Sequence, residues 1–140
     1  EFSAGRVVYL FDGQHLWYAL PSGRILCYPY AKLESDGISY AKAAWKPAAD
    51  AKEWPRARLW RGLACENVTQ ATANDILRGA LRQLDTTVAH IHDEIVLDVP
   101  QSQAEEAKQM LHDVMCTPPI WANGLPLEAE VTIMNRYGKG

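Results

Sequence analysis

The stretch that most constrains the fold runs from Val88 to Val99 and reads V-A-H-I-H-D-E-I-V-L-D-V. Two runs rich in β-branched and apolar residues flank a polar centre, His92-Asp93-Glu94. Runs of this kind, interrupted by turn-tolerant polar residues, form paired strands rather than helix. A tight hairpin is therefore expected over residues 88–99, with Asp93 and Glu94 at its tip. Rigid strands would then present two adjacent carboxylates and an imidazole, a donor set suited to a hard cation such as Mg2+. The plain alternative is a solvated acidic turn, and these residues alone leave both open.

Upstream, residues 6–30 read as a three-stranded antiparallel meander. Runs at 7–11, 15–20 and 24–28 are separated by Asp12-Gly13, a type I′ turn signal, and by Pro21-Ser22-Gly23. Residues 31–61 read as irregular apart from a short strand at 38–41. This region holds Trp45, Trp54 and Trp60. Between 46 and 61, five basic residues (Lys46, Lys52, Arg56, Arg58, Arg61) stand against two acidic ones (Asp50, Glu53), a local charge of +3. Basic residues among aromatics can contact a nucleic-acid backbone. They can equally be a solvated loop whose aromatics pack on the core.

Residues 63–84 form the longest helical pattern, with Val68, Ala71, Leu77, Ala80, Leu81 and Leu84 at helical spacing. Beside them Glu66, Gln70, Asn74, Arg78 and Arg82 recur every four residues and make a polar ridge. Amides and guanidiniums can donate to phosphate, sugar or base edges; a ridge of this kind is also an ordinary solvated face. Gly79 weakens the helix by roughly 1 kcal/mol relative to alanine, so something else should favour it there, close packing being one option. After Pro100, Ser102 and Glu105 make a capping box for a helix over 103–115 that buries Ala104, Ala107, Leu111 and Val114. His112, near its end, is read as complementing the helix dipole rather than as a metal ligand. Pro118-Pro119 stops the helix. Residues 127–134 alternate apolar and polar and read as a half-buried last strand. The order is that of an α+β fold, an antiparallel sheet backed by two helices.

The size, 140 residues, suits one domain. A net charge of -3 weighs against a free-standing nucleic-acid-binding protein. Cys27, Cys65 and Cys116 are scattered, with no C-x-x-C pair, so neither a zinc ribbon nor a disulfide framework is supported, and a reduced, cytoplasmic setting is expected. No apolar run reaches membrane-spanning length. The first residue is Glu1 rather than Met, as in a mature product or an excised piece.

Four motifs, taken in order, resemble a known family. Leu20-Pro21-Ser22-Gly23-Arg24, the helix segment from Glu66 to Leu77 (E-N-V-T-Q-A-T-A-N-D-I-L), the hairpin from His92 to Pro100, and Gly124-Leu125-Pro126-Leu127 with Arg136-Tyr137-Gly138-Lys139 are similar to the C-terminal palm region of family A DNA polymerases, the phage-type members above all. The resemblance covers the chain from about residue 15 onward. It implies that Asp93 is one of two catalytic aspartates holding Mg2+, that Glu94 is a secondary carboxylate, and that His92 lies near the primer terminus. It also implies that Asn67, Gln70, Asn74 and Arg78 face DNA, with Gln70 in the minor groove. Primer-template DNA and dNTP are the implied partners of the parent enzyme. The chain departs from the pattern in carrying no D-x-S-x-x-E-x-R-like stretch, source of the other aspartate, and no R-x-x-x-K-x-x-x-Y-G-like helix, which grips the nucleotide. Leu59-Trp60-Arg61-Gly62 stands where near relatives read T-Y-G-G, and Glu66 stands where many have Asn. The expectation is a polymerase fragment, inactive alone, and a homodimer covering apolar surface. Two other readings are a non-catalytic DNA-binding module and a small zinc or iron enzyme built on His90, His92 and Asp93.

Overall fold

The fold is taken from a computed structural model that describes residues 1–138. The chain divides into two units, Glu1–Thr72 and Ala73–Gly140. In the first, β1 (Phe2–Ala4), β2 (Val7–Phe11), β3 (Leu16–Ala19) and β4 (Ile25–Tyr28) form an antiparallel meander in chain order. Side chains alternate across a strand, and Val7, Tyr9, Leu16, Tyr18 and Tyr28 are buried together. Tyr9 is the register partner of Phe2 on one side and of Tyr18 on the other. The rings of Phe2, Tyr9, Tyr18 and Tyr28 stack in a row with centroids 4.8, 5.9 and 5.1 Å apart, and Tyr40 ends it edge-on at 5.0 Å. Burial pushes the Tyr9, Tyr18 and Tyr28 phenols above the ordinary range. β1 adds a strand to the expected meander; its three residues are all exposed, so no buried alternation marked it.

Asp12-Gly13 does not make a two-residue type I′ turn. Four residues, 12–15, join β2 to β3, and the Asp12 carboxylate organises them. It accepts the backbone N–H of Gln14 and His15 at 2.8 and 2.7 Å and the Trp17 indole N–H at 2.7 Å. These donors favour the charged form, His15 N–H most, and hold Asp12 at about 2.

Residues 31–61 are more regular than their sequence implied. β5 (Lys32–Glu34), β6 (Gly37–Ala41) and β7 (Arg56–Leu59) make a second antiparallel sheet, β6 in the middle. β7 alternates exposed Arg56 and Arg58 with half-buried Ala57 and Leu59. Two apolar positions are too few to stand out against the basic composition. Arg56 donates to Ser39 Oγ at 2.5 Å and to the Tyr30 carbonyl at 2.7 Å, and the buried Ser39 hydroxyl donates to Glu34. Arg58 pairs with Asp36 and holds its carboxyl below the usual range. Trp45, Trp54 and Trp60 do not pack on the core; they are exposed.

Helix α1 (Arg61–Leu81) follows. Trp60 folds back over its first turn, where a Cβ on Gly62 would fall 1.7 Å from an indole carbon. Leu63, Val68 and Ala71 pack on the first unit's core. Arg24, from the L-P-S-G-R motif, donates to the Ala71 carbonyl at 2.7 Å. Gly79 does not pack closely against anything described: a Cβ there would meet nothing within 4 Å.

In the second unit, β8 (Thr87–Ile91) and β9 (Glu94–Leu97) form the expected hairpin, with a register shift between Thr87 and Ala89. α2 (Ala104–Cys116) follows. Ala80, Leu84, Ile95 and Leu111 make the core, joined by Leu77, Leu81, Leu97, Val114, Met115 and Val131, so this hairpin is backed by residues of both helices. Ser102 does not cap α2. It lies inside a 3-10 turn, Gln101–Gln103, that runs straight into the helix, and the N-cap is Gln103 without a side-chain bond. Residues 127–134 form no strand. Leu127, Ala129 and Val131 are half-buried between exposed neighbours, but Ile133 is 44% exposed. Alternation specifies an extended chain with one buried side; it does not supply a partner strand. The fold is α+β, with three separate antiparallel sheets and two α-helices, and no barrel among the described residues.

Candidate functional site

Ile91 pairs with Glu94, so the hairpin turns on two residues, His92 and Asp93. His92 has φ of +55°, the left-handed region that a two-residue hairpin requires at its first central position. Histidine is among the few residues that enter this region readily. His92 and Asp93 are exposed, while Glu94 is half-buried as the first residue of β9. The Tyr137 phenol donates to the Glu94 carboxylate, and this bond raises the phenol above its ordinary range. Nothing in the sequence pattern tied Tyr137 to the hairpin. Lys139, in the same R-Y-G-K motif, lies outside the described residues.

The turn opens onto a cleft of about 850 Å3 within the second unit. Residues of β9, of α2 and of the extended stretch 128–135 line it. Asp93, Glu94, Asp98, Glu128 and Glu130 face it, with Lys108 as a counter-charge. β9 has β8 as its hydrogen-bonded neighbour on one edge.

The helix residues divide between the units. Asn67 donates to the Tyr28 hydroxyl at 2.9 Å, so its amide is bound into the aromatic row. The exposed Gln70 amide donates to Glu66 at 3.1 Å. In the second unit Asn74 is exposed, and Arg78 lies 4.0 Å from Asp75. Of the five basic residues between 46 and 61, Arg56 and Arg58 are committed within their sheet, which reduces the basic loop to Lys46, Lys52 and Arg61, all exposed.

No protein-family model matches the chain, and no solved structure does. Two curated proteins do. Over 139 residues, 95% of this chain, it is 38% identical to a DNA polymerase of Bacillus phage SP02. Along almost its whole length the chain is similar to a region of a DNA polymerase. A shorter match, 38% over 72 residues and 46% of the chain, is to a thermostable DNA polymerase I of Thermus filiformis. The chain spans 21% of the length of the phage polymerase and 8% of the Thermus one, so it corresponds to a region of such an enzyme.

Within this polymerase region the donors for Mg2+ are few. Asp93 is exposed, and Glu94 is engaged by Tyr137. Among the described residues no group of three or more His, Cys, Asp or Glu is placed to hold a metal ion. The residues present therefore do not fit a complete Mg2+ centre. The same finding removes the His90–His92–Asp93 zinc or iron site: the positive φ at His92 breaks the strand alternation that would set both imidazoles on one face. No helix among the described residues is long and apolar enough to cross a membrane.

Proposed function

We propose that the chain is the C-terminal palm portion of a template-directed DNA polymerase, contributing one of its two catalytic aspartates, Asp93. The observation that carries this reading is the 38% identity to a phage DNA polymerase along 95% of the chain. The hairpin supports it: a carboxylate on a two-residue turn between hydrogen-bonded strands is held in place yet open to a large substrate. The cleft supports it as well. Its lining includes the extended backbone of β9 and of residues 128–135, and a further strand from the parent enzyme would pair there and bring a second carboxylate toward Asp93.

In the parent, the substrates are primer-template DNA and a dNTP. The Mg2+ chemistry of such a reaction would need ligands beyond Asp93 that this chain does not supply among its described residues. This chain's own part is to place the Asp93 carboxylate, flanked by His92 near the primer end and by Glu94. Gln70, Asn74 and Arg78 contact duplex DNA, and the degenerate minor-groove pattern suits an enzyme that accepts any sequence. Asn67 acts behind them by holding Tyr28. The three unpaired cysteines fit a reducing compartment such as the cytoplasm. The homodimer expected from the sequence finds no support in the relatives.

A primer-extension assay with dNTPs and Mg2+ tests this. The isolated chain should extend nothing, whereas the parent polymerase should extend and should lose at least about 100-fold in rate with Asp93→Asn. A parent enzyme unaffected by Asp93→Asn refutes the assignment. The second reading, a DNA-binding module, is favoured by the exposed amides and guanidinium of α1. It predicts duplex binding by the isolated chain that weakens steeply with salt.

A further inference from the structure

The meander of the first unit is apolar on both faces. Every residue of β2, β3 and β4 is apolar or aromatic. A sheet with water on one side alternates apolar with polar, whereas continuous apolar runs mark strands buried on both sides. The register sorts the residues. Val7, Tyr9, Leu16, Tyr18 and Tyr28 share one face, where Leu63, Val68 and Ala71 of α1 pack on their cluster. The opposite face carries two cross-strand rows, Val8–Ala19–Ile25 and Leu10–Trp17–Cys27. Leu10 is 47% and Ile25 62% exposed, and the other four are half-buried. The face ends in a polar residue at β1, where Ser3 is the register partner of Val8.

The dimensions of this second face fit a helix. Neighbouring strands lie about 4.8 Å apart and rise about 3.3 Å per residue, so β2, β3 and β4 offer a band about 10 Å wide and about 15 Å long. A helix is about 10–12 Å across and rises about 1.5 Å per residue, so about ten residues of one helix would cover it. The face holds no charged side chain, so its partner has to be apolar too. A source for that partner is at hand. The chain spans 21% of the phage DNA polymerase it resembles, so most of such an enzyme lies outside these residues.

We infer, on the reading of this chain as a polymerase portion, that the second face of the meander is an internal docking surface of the parent enzyme, covered by one amphipathic helix from the part of the polypeptide outside this chain. The helix lays its apolar stripe along the two rows, over Leu10, Trp17 and Ile25, and turns its polar side to water. A segment tethered in the same polypeptide meets the face at a high effective concentration, which favours it over a second copy of the chain.

N-ethylmaleimide with peptide mass spectrometry reads the contact at Cys27, a free, half-buried thiol of this face. Cys27 should be alkylated in the isolated 140-residue chain, and about tenfold or more slowly in the full-length parent. Ile25→Lys gives a second readout. The position is exposed in this chain, so the melting temperature of the isolated chain should move by less than about 2 °C. In the parent an ammonium caught under an apolar layer should lower it by roughly 3 °C or more. Equal alkylation rates in the two proteins overturn the inference: if both are fast, nothing covers the face, and if both are slow, the cover is a second copy or lies within the chain itself. Equal rates beside normal primer extension by the parent refute the docking surface alone. Protection of Cys27 in a parent that extends no primer upholds the cover and refutes the polymerase reading.

Discussion

His92 carries two demands that pull in different directions. Its backbone must hold φ of +55° for the strands to meet, and its ring stands beside Asp93. Replacing it separates them. His92→Gly satisfies the backbone without strain and should change stability by less than about 1 kcal/mol, while His92→Val, β-branched in the left-handed region, should cost roughly 1–2 kcal/mol. Urea unfolding of the isolated chain measures both. Asn67 is the converse case, a residue whose family resemblance pointed to DNA and whose amide reaches Tyr28 instead. Asn67→Ala should cost about 1 kcal/mol in the same experiment, since a partly buried bond is lost. Neither fact was legible in the residues alone. A positive φ has no compositional mark when the residue is histidine, and an amide's partner 39 positions away is a tertiary fact.

The elements were legible where a long pattern met a clear stop. α1, the hairpin and α2 each lie within a few residues of their periodic segments, because a buried face of several residues leaves a repeat. β5 and β7 were lost because three- and four-residue strands leave almost none, and the alternation of 127–134 misled because it lacks a neighbour to pair with. The β2–β3 loop depends on one carboxylate. Asp12 titrates at about 2, below the ordinary 3.8, so its stabilising contribution is complete above about pH 4 and is lost as the pH falls toward 2. Carboxyl-detected NMR should return that value, with the Trp17 indole N–H shift following the same curve. In α1, Gly79 lacks any described neighbour where a side chain would sit. Gly79→Ala should stabilise the isolated chain by roughly 0.5–1 kcal/mol, read as a rise in urea midpoint.

At the scale of the molecule, folding and the proposed activity separate. Asp93 is exposed and belongs to no core cluster, so Asp93→Asn should move the stability of the chain by less than about 0.5 kcal/mol while removing activity from the parent enzyme. The same separation explains what the sequence did and did not reveal about the site. The hairpin that carries Asp93 is local and could be read from twelve consecutive residues. The second carboxylate of the proposed centre has to come from elsewhere in the parent, so nothing local could complete the site.

The placement of the tryptophans has an optical consequence. Trp45 is 96% exposed, Trp54 and Trp60 more than half exposed, and the buried aromatic row is built of tyrosines, with the exposed Phe2 stacked at its end. Indoles already in water change their emission little when a chain unfolds. Those three should therefore report little on unfolding, so the change in emission should come from the half-buried Trp17 and Trp121, and loss of tertiary structure should show also in the near-ultraviolet dichroism of the stacked tyrosines.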